Sequence, residues 1–166
     1  MLTKSRLSEL LNYDPVIGKF TWNKPVSHKV KAGDVAGSKD AYGYLVLCLD
    51  GKRYKAHRLA WFFCYDELPT EIDHINGVKD DNSIANLRKC DRAQNMQNKG
   101  KYSSNSSGFI GVSKHGNKWS ARISLGKVSK YLGAFETPDA AYQAYLEGKQ
   151  EHHKFQPDLN NRIVTT

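Results

Sequence analysis

Apolar positions along the chain change period several times, and each change marks an element. Leu2, Leu7, Leu10 and Leu11 suit one helical face, which predicts a short amphipathic helix over 2–11 with Thr3 or Ser5 as its cap. Asn12-Tyr-Asp-Pro15 is expected to end that helix. Residues 18–22 and 43–49 read as strands. Asp50-Gly51 joins the second of these to 52–56 as a hairpin, because glycine at the second turn position takes positive φ readily. From Ala56 to Tyr65 the spacing becomes helical, and Leu68-Pro69-Thr70 breaks it before a new unit that begins at Glu71.

A second pattern follows Gly100-Lys-Tyr-Ser-Ser-Asn-Ser-Ser-Gly108, whose small polar residues suit a flexible connection over 100–107. Residues 109–113, 118–125 and 128–135 read as three strands, with turns at Gly116-Asn117 and Gly126-Lys127. Thr137-Pro138 then opens a helix, threonine as N-cap and proline at the first helical position, where its missing N–H costs nothing. Ala140, Ala141, Ala144, Tyr145 and Gly148 are small or flat enough to pack that helix closely on the sheet. Positions 118, 120, 122 and 124 are polar while 119, 121, 123 and 125 are apolar, an alternation that would turn Trp119 towards the helix. The expectation is an α+β chain of two modules, 1–99 and 108–155, with a tail over 156–166.

Charge changes the picture more than size does. The 166 residues carry a net charge of +8 with a pI near 9.3, which favours an anionic partner, since a lysine or arginine that meets a phosphate releases a counterion. The basic excess is densest between Gly100 and Ala134, where Lys101, Lys114, Lys118, Arg122, Lys127 and Lys130 occur without an acidic residue. Cys48, Cys64 and Cys90 are odd in number and widely spaced, so neither a disulfide framework nor a zinc site is indicated. The amino terminus lacks the apolar core of a signal peptide, and the longest apolar run, 59–65, is too short to span a bilayer. A cytoplasmic, membrane-free protein is expected.

The chemistry concentrates in Ile72-Asp-His-Ile-Asn-Gly77, Asn82-Ser-Ile-Ala-Asn-Leu-Arg88 and Asp91-Arg-Ala-Gln-Asn-Met-Gln-Asn98. An Asp-His pair alone could be a polar turn. At the end of a strand, however, Asp73 and His74 would point to opposite faces, one towards a metal and the other towards substrate. A carboxylate suits a hard cation such as magnesium, and a neutral histidine can take a proton from water. Asp91 and Gln94 have the spacing of a capping box opening a helix, and Asn95 in its first turn could reach a cation held by Asp73. Local sequence equally allows Asn95 and Asn98 to be ordinary exposed helix residues. His57 is read as packing at a helix start, and His152 and His153 as helix-end residues. Arg53, Lys55 and Arg58 fit either phosphate contacts or a solvated basic edge.

The set Ala56-His-Arg-Leu-Ala-Trp61, Asp73-His-Ile-Asn-Gly77, Asn82, Asn86-Leu87 and Asn95 resembles the HNH endonucleases of phages and mobile introns, over approximately 54–98. The resemblance implies a ββα-metal fold that hydrolyses phosphodiester bonds of double-stranded DNA. It implies Asp73 and Asn95 as ligands of one divalent ion, His74 as general base and Asn86 as the asparagine that braces the motif, with no small-molecule cofactor. Many relatives carry histidine where Asn95 stands; an amide oxygen fits magnesium or manganese better than zinc.

Residues 108–155 resemble the AP2 DNA-binding domain through Gly111-Val112, Trp119, Ala121, Ile123, Tyr131-Leu-Gly-Ala-Phe135, Ala140-Ala141 and Ala144-Tyr145. Such domains read the major groove with the open face of a three-stranded sheet, which implies contacts from Lys114, Lys118, Trp119, Arg122 and Lys130. The function implied is a metal-dependent HNH nuclease, homing or free-standing, targeted by an AP2-like module. The alternative is a non-catalytic DNA-binding regulator that retains the HNH fold. RNA binding is disfavoured because no aromatic RNP-type strand pair is present.

Overall fold

A computed structural model describes residues 2–97 and 105–153. Asn98, most of the expected connection (100–104), the last two residues of the expected second module (154–155) and the tail 156–166 lie outside the described residues. Contacts divide the chain into two units that meet between Asp91 and Arg92, whereas composition puts the joint at 100–107.

The first unit runs α1 (Lys4–Leu10), β1 (Leu11–Asp14), β2 (Lys19–Trp22), β3 (Ser38–Lys39), β4 (Leu45–Leu49), β5 (Lys52–Lys55), α2 (Ala56–Tyr65), β6 (Glu71–His74) and β7 (Leu87–Cys90). Thr3 caps α1, its Oγ1 accepting the Arg6 N–H at 3.1 Å. The expected helix end at Asn12 is instead a strand: Leu11–Asp14 pairs antiparallel with Lys19–Trp22, and Leu11 and Tyr13 are buried while Asn12 and Asp14 are exposed. Asp14 Oδ1 accepts the N–H groups of Val16 and Ile17 and so closes the turn.

This hairpin supports the loop that later holds the site. At Gly18, φ is +68°, and an added Cβ would lie 2.2 Å from Ser83 N and 2.3 Å from Asn82 C, so only glycine lets the two backbones meet. Ile84 N–H donates to Pro15 O at 2.9 Å from the other side of the same contact.

The expected Asp50-Gly51 hairpin forms, with φ of 49° and 75° at its two central residues, the left-handed pair that a two-residue turn requires. Helix α2 buries Ala56, His57, Leu59 and Ala60 and ends at Asp66 in the left-handed conformation, whose N–H reaches Phe62 O. Leu7, Leu11, Phe20, Leu47, Leu49 and Leu59 form the almost wholly buried centre of this unit. Strands β6 and β7 pair antiparallel, with Asp73 opposite Arg88 and His74 opposite Leu87.

The second unit holds α3 (Arg92–Gln97), β8 (Val112–His115), β9 (Lys118–Leu125), β10 (Val128–Phe135) and α4 (Pro138–His152). Its three strands form an antiparallel meander with β9 in the middle. The first strand starts at Val112 rather than at 109, because Gly111 (φ +73°) is a turn position where a Cβ would strike the Tyr145 ring at 2.2 Å. Thr137 Oγ1 accepts the Ala140 N–H at 3.2 Å and Pro138 opens α4, as the sequence predicts. Ala141, Tyr145 and Gly148 face the sheet, and a Cβ at Gly148 would come within 2.9 Å of Leu132 Cδ1. Ala140 is exposed, one position off the stripe that 141, 145 and 148 define, so it does not help the packing.

Candidate active site

Strand β6 ends at Asp73 and His74, both buried. The two side chains have different neighbours. Asp73 Oδ2 accepts Arg88 Nε at 3.0 Å and Arg88 Nη2 at 2.8 Å. The His74 ring instead meets His57, Tyr44 and Asn82.

Asn82, 1% exposed, orients His74. Its Nδ2 donates to Asp80 O at 3.0 Å, which turns its Oδ1 towards His74 Nε2 at 3.4 Å. An amide oxygen only accepts, so this long contact places a proton on His74 Nε2. Asn82 is fixed in turn by the Tyr13 hydroxyl, which donates to Asn82 O at 2.7 Å. Burial pushes the His74 imidazole below its ordinary pKa, against the opposing pull of the Asn82 bond and of Asp73, Asp81 and Asp80. At neutral pH it is therefore an uncharged base.

Asn86 ties the two loops together. Its Oδ1 accepts the Asn76 N–H at 3.0 Å, its Nδ2 donates to Asp81 O at 2.8 Å, and its backbone O accepts the Ile75 N–H at 2.8 Å. The Asp81 carboxylate adds bonds from Asn76 Nδ2 and Ser83 Oγ, both at 2.7 Å. These bonds fix the turn beyond β6 against the turn before β7.

His57 is packed, as the sequence suggests, but against the site. Its ring meets His74 edge to face, with centroids 5.0 Å apart and planes at 89°, and lies 5.5 Å from the Tyr44 ring. Its Nδ1 is buried with no hydrogen-bond partner among the described residues. Burial, helped by His74, Lys55 and Arg58, depresses its pKa to about 3, so this ring is also neutral. Tyr44 and Arg88 are the neighbours that sequence reasoning missed. Arg88 becomes visible only once β6 and β7 are set in register; nothing local marks Tyr44.

The two expected metal ligands fall in different units, Asp73 on β6 and the half-buried Asn95 on α3, which begins directly after Asp91. Among the described residues no three His, Cys, Asp or Glu side chains gather as a cage. The donors in question are thus a carboxylate and an amide oxygen, a set that suits a hard, mostly hydrated cation.

Of the expected DNA contacts in the first unit, Arg53 and Lys55 are exposed on one face of β5, and Lys55 Nζ sits 3.9 Å above the centre of the Tyr44 ring. Arg58 is partly committed to structure, its Nη1 lying 3.4 Å from Thr70 O. In the second unit the register separates the four expected basic contacts. Lys114 lies opposite Trp119 and Lys130 opposite Ile123, both on the face that packs on α4. Lys130 Nζ is 2.7 Å from His152 Nε2 on that helix.

Lys118 and Arg122 take the open face, Lys118 paired with Glu136 at 2.7 Å and the Arg122 guanidinium 5.4 Å from the Tyr131 ring centre. Lys114 and Lys130 therefore do not join them there, because antiparallel partners share a face. Trp119 packs with Ala121 and Ala141, as the alternation predicts, and is not an open-face contact.

These residues form a buried Asp-His pair in which Arg88 holds Asp73 and Asn82 orients His74, an arrangement suited to acid–base chemistry on a polar substrate. Residues 54–97 match the family model described as HNH endonuclease, which supports a nuclease function for this segment. The match spans about a quarter of the chain and includes Asp73, His74, Asn86 and Asn95. No curated protein and no solved structure matches the chain. Among the described residues no helix is long and apolar enough to cross a membrane.

Proposed function

We propose that the chain is a divalent-metal-dependent DNA endonuclease, of homing or free-standing type, whose HNH segment cuts double-stranded DNA and whose βββα unit, AP2-like, directs it. The observation that carries this reading is the coincidence of the family match with a buried His74 whose pKa burial lowers and whose ring Asn82 orients. Asp73 and Asn95 would hold one magnesium or manganese ion, which when bound supplies Lewis-acid stabilisation of the phosphate and the departing 3′ oxygen. His74 takes a proton from the attacking water, Asn86 keeps the loops around it fixed, and Arg53 and Lys55 hold neighbouring phosphates. The products are a 5′ phosphate and a 3′ hydroxyl. Three free cysteines support a reducing, cytoplasmic setting.

One observation favours the non-catalytic reading: Asp73 Oδ2 already accepts two Arg88 N–H groups. Incubating purified protein with supercoiled plasmid and magnesium, beside an EDTA control, separates the two. Magnesium-dependent nicked or linear product bearing 5′ phosphates is expected. A protein that shifts the plasmid without cutting it is a DNA-binding regulator instead.

A further inference from the structure

Lys24, Lys39 and Lys89 of the first unit are each neutralised by a carboxylate, Glu9, Asp80 and Glu67 respectively. Two other lysines behave differently. Lys55, from the end of β5, and Lys79, from the loop beyond β6, both converge on Tyr44, with Nζ atoms 3.9 Å and 5.2 Å from the same ring centre. Among the described residues neither forms a salt bridge. Attraction to an aromatic ring holds an ammonium group without neutralising its charge, so both lysines keep a positive charge beside Tyr44.

Tyr44 is held in place for this. Asp40 Oδ1 accepts the N–H groups of Tyr42 and Tyr44 at 2.9 and 3.0 Å, and Tyr44 O accepts the Asp40 N–H at 2.8 Å, so the turn that presents the ring is closed on itself. Lys79 Nζ donates to Tyr42 O at 2.9 Å, which anchors the ammonium at the edge of that turn. Asp40 is the nearby counter-charge, stabilised as a carboxylate by these backbone bonds and by Lys55 and Arg53, but its Oδ1 is spent on amides. The Tyr44 ring lies 6.0 Å from the His74 ring.

We infer that Tyr44, Lys55 and Lys79 form a phosphate-binding ledge beside His74, which grips the DNA backbone next to the bond to be cut. The inference rests on the nuclease reading for its substrate, and it adds Tyr44 and Lys79 to the substrate-binding residues. A backbone phosphate that meets these ammonium groups accepts from them and supplies the counter-charge that no salt bridge among the described residues gives them. The ring sets their height, and the grip is independent of base sequence because it touches backbone only.

The test is salt-dependent binding of a short fluorescein-labelled duplex to the full chain in EDTA, where cutting plays no part. Lys55→Gln and Lys79→Gln should each lower the slope of log K against log salt by about one unit, equally on unrelated sequences. Tyr44→Phe keeps the ring face and should bind as the wild type does, while Tyr44→Leu should lose affinity as the lysine variants do. Lys31→Gln, at an exposed lysine elsewhere in the unit, is the control. Unchanged slopes in both lysine variants, a loss in Lys31→Gln as large as in either, or no salt-dependent binding by the wild type overturns the ledge. A wild type that never cuts in magnesium, yet shows these slope changes, overturns the nuclease reading and leaves the ledge standing.

Discussion

Arg88 stands directly opposite Asp73 in the β6–β7 ladder and donates both Nε and Nη2 to a single oxygen, Asp73 Oδ2. The pair is mostly buried, so the guanidinium is the cation that makes a carboxylate tolerable at this depth. A divalent ion at Asp73 would take over part of that duty. On the proposed function, the carboxylate would then have two cationic partners, one built in and one supplied by the solution.

Replacing Arg88 by glutamine should expose this relation. The variant loses two charge-assisted hydrogen bonds, a destabilisation of about 1–3 kcal/mol. Magnesium should then raise its melting temperature more than it raises that of the wild type, because a ligand stabilises by its affinity for the folded state and the competing cation is gone. Thermal melts with and without magnesium check it; an equal magnesium effect in both proteins would mean that no ion binds at Asp73.

His74→Ala is expected to reduce cutting by about 10²- to 10⁴-fold while DNA binding stays intact, since a general base acts only when water is activated. Asn95→Ala should weaken cleavage in a way that higher magnesium or manganese partly restores, and Asp73→Ala should weaken it more. Cleavage rates across a metal titration measure all three. A neutral Asn95→Ala would remove Asn95 from the ligand set.

Much of the fold is legible in the sequence where its determinants are local. The Asp50-Gly51 turn, the Thr137-Pro138 helix start and the 118–125 alternation each depend on residues within one element, and each forms as expected. Leu11–Asp14 was hidden because four residues of period two beside a helix cannot be told from its tail. Arg88 opposite Asp73, Tyr44 beside His74 and the close approach at Gly18 are relations between distant segments. No local period encodes them. The faces of Lys114 and Lys130 were lost for a similar reason: composition gives the charge, but only strand register gives the side it points to.

Two buried imidazoles with lowered pKa values give the fold a definite acid response. His57, depressed to about 3, and His74, also lowered, stay neutral in the native state while their unfolded counterparts bind protons below about 6.5. The unfolded chain thus holds more protons at acid pH, and stability falls as pH drops below about 6.5, the His57 contribution continuing towards about 3. The slope approaches 1.4 kcal/mol per pH unit for each histidine, as an upper bound. Above that range both groups are neutral in either state and contribute no slope. Denaturant unfolding at pH 7 and pH 5 tests this; His57→Phe, which keeps an aromatic ring without a titrating nitrogen, should flatten the difference.

The last prediction separates the two faces of the βββα sheet. Lys118 and Arg122 lie on the open face with Tyr131, whereas Lys114 and Lys130 lie on the helix side, where Lys130 contacts His152. If this unit binds DNA through its open face, a Lys118→Gln/Arg122→Gln double variant should lose affinity and about two units of salt slope. The Lys114→Gln/Lys130→Gln variant removes the same formal charge from the chain, so any difference between the two reports position and not net charge. Arg122 has the further capacity to donate two N–H groups to one guanine, so its loss should also shift which sequences are cut, which a pure phosphate contact would not do. Cleavage maps and salt titrations of the two double variants decide it. Equal losses in both would mean that the unit acts through a diffuse positive field, and a loss confined to Lys114→Gln/Lys130→Gln would put the DNA on the helix side.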